Sequence, residues 1–347
     1  MTFEGAAVPL HPTSAGGERA RIVDVAALAD VSPGTVSNTL NHPERVNAET
    51  RDRVMAAIEQ LGFVRNQQAR ILTGAPSTTL GLIVVDLKSP FFMELAHAVE
   101  RAASALGHVV IMCNSENDRE REAQLLDVLA SQRVAGALVT PTGGRRPFRD
   151  PLSGPPIVLI DEESPEYPCS VRVDHVEGGR QAARHLIGLG HRRLAFVGGM
   201  PDLGQFRQRV VGMRLAMSEA GLDPDGLAIT RSDGINLESG EASAGRLLAM
   251  ADRPTGVCCG NDMIAFGVYR ALDRAGVRVP KDVALVGYDD VAFAADWIVP
   301  LTTVRQPTRE MGRRAAELLL DHATSAVHEH ERVVLTPELI VRRSSGA

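Results

Sequence analysis

Two sets of residues have types and spacings that could do chemistry. The first lies in Ile22 to Asn41, which reads IVDVAALADVSPGTVSNTLN. If the chain is helical after Ser32, then Gly34, Thr35, Ser37, Asn38 and Asn41 fall on the outward face, while Val36 and Leu40, four apart, turn inward. Hydroxyls and amides on such a face can hydrogen-bond phosphates and base edges in a major groove. The second set is Asp86, Asp161, Asn261 and Asp289, each at the end of an apolar run. At the carboxyl ends of parallel strands, such groups surround the place where small ligands bind.

Enzyme constellations are poorly supported. Gly198 and Gly199 follow a strand-like run, but Met200, Pro201 and Asp202 come next and no GxGxxG spacing appears. Asp289 and Asp290 are adjacent, so on a strand they point to opposite faces and cannot share one substrate as an acid/base pair. His185 and His191 have no Ser or Cys nucleophile motif nearby. The four cysteines, Cys113, Cys169, Cys258 and Cys259, lack metal-ligand spacing and read as reduced, buried thiols. No metal and no cofactor is expected.

The elements that must position these residues differ along the chain. Ile22, Val25, Ala26 and Ala29 recur at helical spacing, Val31 opens a short turn, and Ser32 is a good N-cap ahead of Pro33 at the first helical position. Two short helices joined in this way form a helix-turn-helix, with an ordinary helix pair in a larger core as the alternative. A third helix over Ala48 to Leu61, stopped by Gly62, would close a small core. The short helix-like piece NQQARILT (66–73) and the linker GAPSTT follow. From Thr79 onward strands alternate with helices: TLGLIVVD, a helix over 92–106, HVVIMCN, a helix over 120–132, then GALVT, PIVLID and VRVD. A helix over 178–189, RLAFVGG, helices over 205–220 and 238–250, GVCCGN, a helix over 263–275 and VALVGYDD repeat the scheme. This alternation predicts parallel sheets covered on both faces, and about 270 residues is enough for two lobes.

Composition narrows the classes further. The 347 residues carry a net charge of −6 and are 44% hydrophobic, yet no apolar run reaches membrane-spanning length, about 18 residues or more. The start, MTFEGAAVPLHPTSAGGERAR, lacks the basic-then-apolar pattern of a secretory signal, and residues 1–20 read as a disordered extension. Between Arg19 and Gly74, seven arginines face six carboxylates, a weak electrostatic footprint for nucleic acid. One such head would bind weakly, and pairing two in a dimer is the remedy.

Eight blocks in order, DVAALADVSPGTVSNTLN, LGFVRNQQAR, SPFF, GLGHRRLAFVGG, RQRVVG, GNDMIAFGVYRAL, VPKDVALVGYDD and PLTTVRQP, make the chain resemble the LacI/GalR family of transcriptional regulators from about Ile22 onward. That resemblance implies an all-α helix-turn-helix DNA-binding head, a hinge helix and an α/β two-lobed sensor related to periplasmic sugar-binding proteins. It places Ser32, Thr35, Ser37, Asn41 and Thr50 at phosphate-contacting positions, and Pro33, Gly34 and Asn38 at base-reading positions. Leu72 matches a leucine that wedges into the central minor-groove step of a pseudo-palindromic operator, where an apolar side chain can unstack and kink the duplex. Four departures stand out: Asn38 where Arg is frequent, Asp30 where a turn Gly is frequent, Phe63 for a Tyr, and Arg65 for a Pro, the last expected to loosen the joint before the hinge.

For the sensor, Phe91 and Phe92 follow the first strand, where aromatics can stack on a ligand face. The resemblance assigns Arg209, Asn261 and Asp289 to ligand hydroxyls, with Asp161 a weaker candidate; an Arg, an amide and a carboxylate together suit a neutral polyol. Trp297, the only tryptophan, lies where the chain crosses between lobes and could stack on a sugar ring. Ile235 replaces an aromatic wall, and Leu203 stands where purine-responsive relatives carry an Arg, so a sugar is favoured over a nucleoside or purine. The expected boundaries are 21–64 for the head, 65–78 for hinge and linker, and 79–347 for the sensor. The expected protein is a cytoplasmic homodimeric repressor with no membrane partner; a solute-binding protein without a DNA role is the other class, and the head argues against it.

Overall fold

The computed structural model describes residues 20–65, 76–142, 154–198, 203–325 and 327–346. The chain divides into two compact units, Met1–Ala75 and Pro76–Ala347.

In the first unit, α1 (Ile22–Leu28), α2 (Pro33–Asn41) and α3 (Ala48–Leu61) enclose a core of Val25, Ala26, Ala29, Val36, Val54 and Ala57. Each helix is too short to persist alone, so this shared core is what holds them. Ser32 accepts a hydrogen bond from the Thr35 N–H at 3.1 Å, and Asn47 accepts from the Thr50 N–H at 2.8 Å, capping α2 and α3. Asp30 takes φ +52° in the turn between α1 and α2, a left-handed conformation that Asp tolerates better than most residues. Arg65 is tied back to the end of α2. Its guanidinium donates to the Leu40 carbonyl at 3.3 Å and the Asn41 side-chain oxygen at 2.5 Å, because the C-terminal carbonyls of α2 lack partners within the helix. Residues 1–19, the NQQARILT segment and Leu72 lie outside the described residues.

The second unit holds two six-stranded sheets. The first lobe uses β1 (Thr79–Val84), β2 (Val109–Asn114), β3 (Gly136–Val139), β4 (Ile157–Ile160), β5 (Ser170–Val173) and β11 (Arg332–Leu335), in the order β11-β5-β4-β3-β1-β2, all parallel. The second uses β6 (Leu194–Val197), β7 (Ala228–Thr230), β8 (Gly256–Cys259), β9 (Ala284–Asp289), β10 (Thr302–Arg305) and β12 (Glu338–Ile340), in the order β12-β10-β9-β8-β6-β7, with only β12 antiparallel. In each sheet the first strand is flanked by the second and the third, which makes a topological switch point. Helices α4 (Pro90–Ala105), α5 (Arg119–Ser131) and α10 (Thr308–Thr324) cover the first sheet. Helices α6 (His175–Gly188), α7 (Gly204–Glu219), α8 (Leu237–Leu248) and α9 (Asp262–Arg274) cover the second. Among the described residues no helix is long and apolar enough to cross a membrane.

The strands β7, β10, β11 and β12 and the helix α10 are absent from the sequence reading. These strands lack the continuous apolar run that marks the buried ones: β7, β11 and β12 are partly exposed, and β10 begins with two threonines and ends on an exposed arginine. The outward face of α10 carries an Arg313 network with Glu310 and Glu317, while Met311, Ala315 and Leu319 pack inward.

Candidate nucleic-acid helix and inter-lobe cleft

Helix α2 exposes a polar face with its hydroxyls already tethered. Ser32, Pro33, Gly34, Asn38 and Asn41 are exposed, and Thr35, Ser37 and Thr50 are half-buried. The Ser32 and Thr35 hydroxyls lie 2.9 Å apart, and the Asn41 amide donates to Ser37 Oγ at 3.2 Å. Thr39 turns inward beside Val36, its hydroxyl returning to the Thr35 carbonyl at 2.9 Å. The outward surface is therefore a row of short, locally restrained donors and acceptors, with no long side chain among them.

In the second unit the carboxyl ends of both sheets frame a cleft with about 520 Å³ of space open to solvent. From the first lobe come Ser89, Phe91 and Phe92 at the start of α4, Thr140 after β3 and Asp161 after β4. From the second come Leu203, Gln205, Phe206 and Arg209 on or before α7, Ile235 before α8, Asn261 before α9, Asp289 ending β9 and Gln306 after β10. Phe91 and Phe92 meet edge to face at 5.1 Å.

A buried polar network ties the two walls together. His175 Nε2 lies 2.7 Å from Asp161 Oδ1, and His175 Nδ1 lies 3.0 Å from the Tyr288 hydroxyl. Arg209 donates from Nε to the same Nδ1 at 3.4 Å, donates to the Gly260 carbonyl, and lays its guanidinium 3.5 Å from the centre of the Tyr288 ring. An Nδ1 that receives an Arg donor carries no proton, so Nε2–H donates to Asp161 and the imidazole is neutral. Burial agrees with this, pushing the His175 pKa down against the opposing pull of Asp161. Gln205 adds a further bond across the cleft, from its amide to the Asp161 carbonyl at 3.0 Å.

Asp289 is the second electrostatic feature. Its pKa is pushed up to about 7, chiefly by burial, with Arg209 and a 2.7 Å hydrogen bond from Gln306 pulling the other way. Asp161 and Asp289 both have positive φ, +63° and +114°, so each strand end bends to turn its carboxylate toward the cleft. Asn261 caps α9 by accepting from the Ile264 N–H at 2.8 Å and donates to the Ile235 carbonyl at 2.8 Å, leaving one amide hydrogen over.

The structure thus gathers Phe91, Phe92, Asp161, Arg209, Asn261 and Asp289 around one space. Trp297 is not among the lining residues: its ring packs 4.2 Å from Phe266 and 6.4 Å from Phe293, because the large apolar surface finds other aromatics on the second lobe. Asp86 also turns aside, accepting from the Lys88 N–H at 2.9 Å in its own turn. Asp290 faces away from Asp289 and pairs with Arg305 and Arg342, each at 2.7 Å. Sequence reasoning missed His175, Gln205, Tyr288 and Gln306. Gln306 follows a strand with little apolar pattern, and His175 begins its helix three residues ahead of the start that the sequence pattern predicts.

Comparison with known proteins agrees with both units. Residues 21–66 match the family described as bacterial regulatory proteins, lacI family, and residues 183–345 match a periplasmic binding protein-like domain. The chain is 35% identical over 330 residues to the HTH-type transcriptional repressor PurR of Photobacterium profundum, covering 94% of this chain and 98% of that protein. It is 35% identical over 331 residues to the ribose operon repressor of Escherichia coli, covering 94% and 100%. Its fold is similar to the lac repressor dimer bound to operator and the anti-inducer ONPF, with a TM-score of 0.83, 27% identity and coverage of 95% and 100%. A capped helix-turn-helix joined in one chain to a two-lobed sensor, with relatives of this identity over nearly full length, places the protein in the lacI family of bacterial regulatory proteins, as a DNA-binding transcriptional regulator and not an enzyme.

Proposed function

We propose that the protein is a homodimeric repressor of the cytoplasm, where its DNA lies, and that a sugar-like polyol in the inter-lobe cleft controls its affinity for a pseudo-palindromic operator. The observation that carries the effector reading is the convergence of Asp161, Arg209, Asn261 and Asp289 on one cleft with Phe91 and Phe92 on its wall. Carboxylates accept from ligand hydroxyls, the guanidinium and amide donate to them, and the phenyl rings cover the apolar face of a sugar ring. The ribose operon repressor among the relatives supports this class of ligand. Ser32, Thr35, Ser37, Asn41 and Thr50 would hold phosphates, Pro33, Gly34 and Asn38 would read bases, and Leu72 would wedge the central step.

The link between the two sites is a population shift. The Asp161–His175–Arg209 network spans the lobes, so a ligand touching its members favours one lobe arrangement, and DNA affinity follows only as far as the effector prefers that state. For the dimer, the edge strand β2 leaves Val109, Ile111 and Met112 exposed at 63%, 40% and 47%, an apolar edge that a second copy would cover. The lac repressor structure, itself a dimer, supports this.

A nucleoside is the second reading, because Phe91, Phe92 and Phe206 all line the cleft and could stack on a base. A thermal-shift screen of sugars, sugar phosphates, nucleosides and purine bases tests the choice, since a ligand that binds the native state raises the melting temperature. A sugar hit lost in Asp289→Ala supports the polyol site. Hits confined to nucleosides or purines overturn it and leave the DNA-binding assignment in place.

A further inference from the structure

Cys169 is fully buried just ahead of β5, and its sulfur does not face only apolar neighbours. Three imidazoles reach it from the other end of the sequence: His322 in the last turn of α10, and His328 and His330 in the segment that leads into β11. The sulfur lies 3.1 Å from His328 Nε2 and 3.3 Å from His330 Nδ1, and one ligand atom from each of the four residues lies within 4.8 Å of all the others. Four ligands on a tetrahedral zinc ion, with its ordinary bond lengths, sit about 3.5 Å from one another.

The hydrogen bonding around the cluster favours ligation over a simple polar contact. His328 Nδ1 lies 2.6 Å from Asp321 Oδ2. A carboxylate only accepts, so Nδ1 carries the proton and Nε2 turns a lone pair toward the thiol. This carboxylate–histidine arrangement is the one that orients a metal-bound imidazole. Asp321 is itself fixed by the Ser325 hydroxyl at 2.5 Å. His322 Nδ1 is buried without a hydrogen-bond partner among the described residues. The His322 and His328 rings stack at 4.3 Å and 9°, and His330 meets both nearly edge-on at 5.3 and 5.1 Å. Rings packed this closely around one sulfur bring together lone pairs that a cation would satisfy.

We propose that Cys169, His322, His328 and His330 form a four-coordinate site for a divalent transition metal, zinc by ligand type, on the first lobe and apart from the effector cleft. One thiolate and three imidazole nitrogens are borderline-soft donors that suit Zn2+ and exclude Ca2+ and Mg2+. On binding, the Cys169 S–H bond breaks, its proton leaves to solvent and the sulfur binds the metal. His330 is exposed, which gives the ion a way in. The ion would pin the end of α10 and the entry to the edge strand β11 against β5, with which β11 pairs from Arg332 opposite Ser170. Sequence spacing could not show this, since Cys169 and His322 are far apart in the chain, and it is the packing of α10 on the first sheet, together with the parallel pairing of β5 with β11, that brings the four residues together.

The test uses untagged full-length protein, stripped with a chelator and titrated with Zn2+ or Co2+. One equivalent of Zn2+ should bind and raise the melting temperature, and Co2+ should give the thiolate charge-transfer band and intense visible absorption of a four-coordinate site. Cys169→Ser should abolish the charge-transfer band. His330→Ala, a change at an exposed residue that leaves the metal-free fold intact, should remove the melting shift. Asp321→Asn should weaken Zn2+ about 10–100-fold. No stoichiometric binding, a cobalt spectrum without the thiolate band, or binding unchanged in both Cys169→Ser and His330→Ala would overturn the proposal.

Discussion

His175 Nε2 stands 2.7 Å from Asp161 Oδ1, so an imidazole that begins a helix of the second lobe holds a carboxylate that ends a strand of the first. Both groups are nearly inaccessible, with side chains 2% and 7% exposed. A bond of this kind is worth more in restraint than in net energy, because leaving either partner unmatched is costly. His175→Ala should therefore destabilise the chain by about 1–3 kcal/mol and weaken effector binding. The measurement is urea unfolding of His175→Ala, Asp161→Asn and the double variant. A double variant no worse than the worse single shows that the pair acts as a unit; full additivity would mean that the two residues act separately.

The raised pKa of Asp289, about 7, makes a signed prediction. The native state holds this proton more tightly than the unfolded chain, whose aspartate titrates near 4. Below about pH 4 both states are protonated and the group contributes nothing. As pH rises the unfolded chain ionises first, so stability falls until about pH 7 and the penalty is full above it. Asp289→Asn should then gain on the wild type as pH rises from about 4 to about 7. A hydroxyl that donates to Asp289 bonds more strongly to the ionised form, because a hydrogen bond to a carboxylate is charge-assisted, so polyol affinity should drop as pH falls through about 7, and calorimetry of Asp289→Asn should show that pH dependence gone.

How much of this was legible follows from how local each feature is. Ser32, Pro33 and Gly62 announce their helix ends because capping chemistry involves residues within one turn. The strand ends at Asp161, Asn261 and Asp289 were readable because buried parallel strands are continuous apolar runs stopped by polar residues. His175, Gln306 and the Cys169 cluster were not, because each acquires its meaning from a residue far away in sequence. Trp297 falls outside the cleft lining for the converse reason: its type suggests a stacking platform, while the aromatic neighbours it packs against, Phe266 and Phe293, lie on other elements or turns.

Ile111 on the open edge of β2 tests the dimer. It is 40% exposed beside Val109 and Met112, and an apolar edge of this kind in a free subunit invites pairing. Ile111→Asp should shift the sedimentation coefficient from dimer to monomer while leaving effector binding in place. Operator affinity should fall with it, since two weakly charged heads bind tightly only when joined. A variant that stays dimeric would move the interface away from β2.

Asn38 carries the sharpest claim about DNA. It is exposed on the outward face of α2, flanked by the small residues Ser37 and Gly34, and no longer side chain on that helix competes for base edges. A side-chain amide pairs with adenine through N6 and N7, using its acceptor and one donor together. Asn38→Ala should therefore cost about 1–3 kcal/mol on the specific operator, leave non-specific binding unchanged, and leave the salt dependence of both intact, because no phosphate contact is removed. Asn38→Arg should restore tight binding on operators with guanine at the matching position. Leu72→Ala should also weaken specific binding more than non-specific, without a change of preferred base at the Asn38 position. Fluorescence anisotropy over a panel of operators at several salt concentrations separates the three, and a uniform loss for Asn38→Ala across all sequences would make Asn38 a backbone contact instead of a base reader.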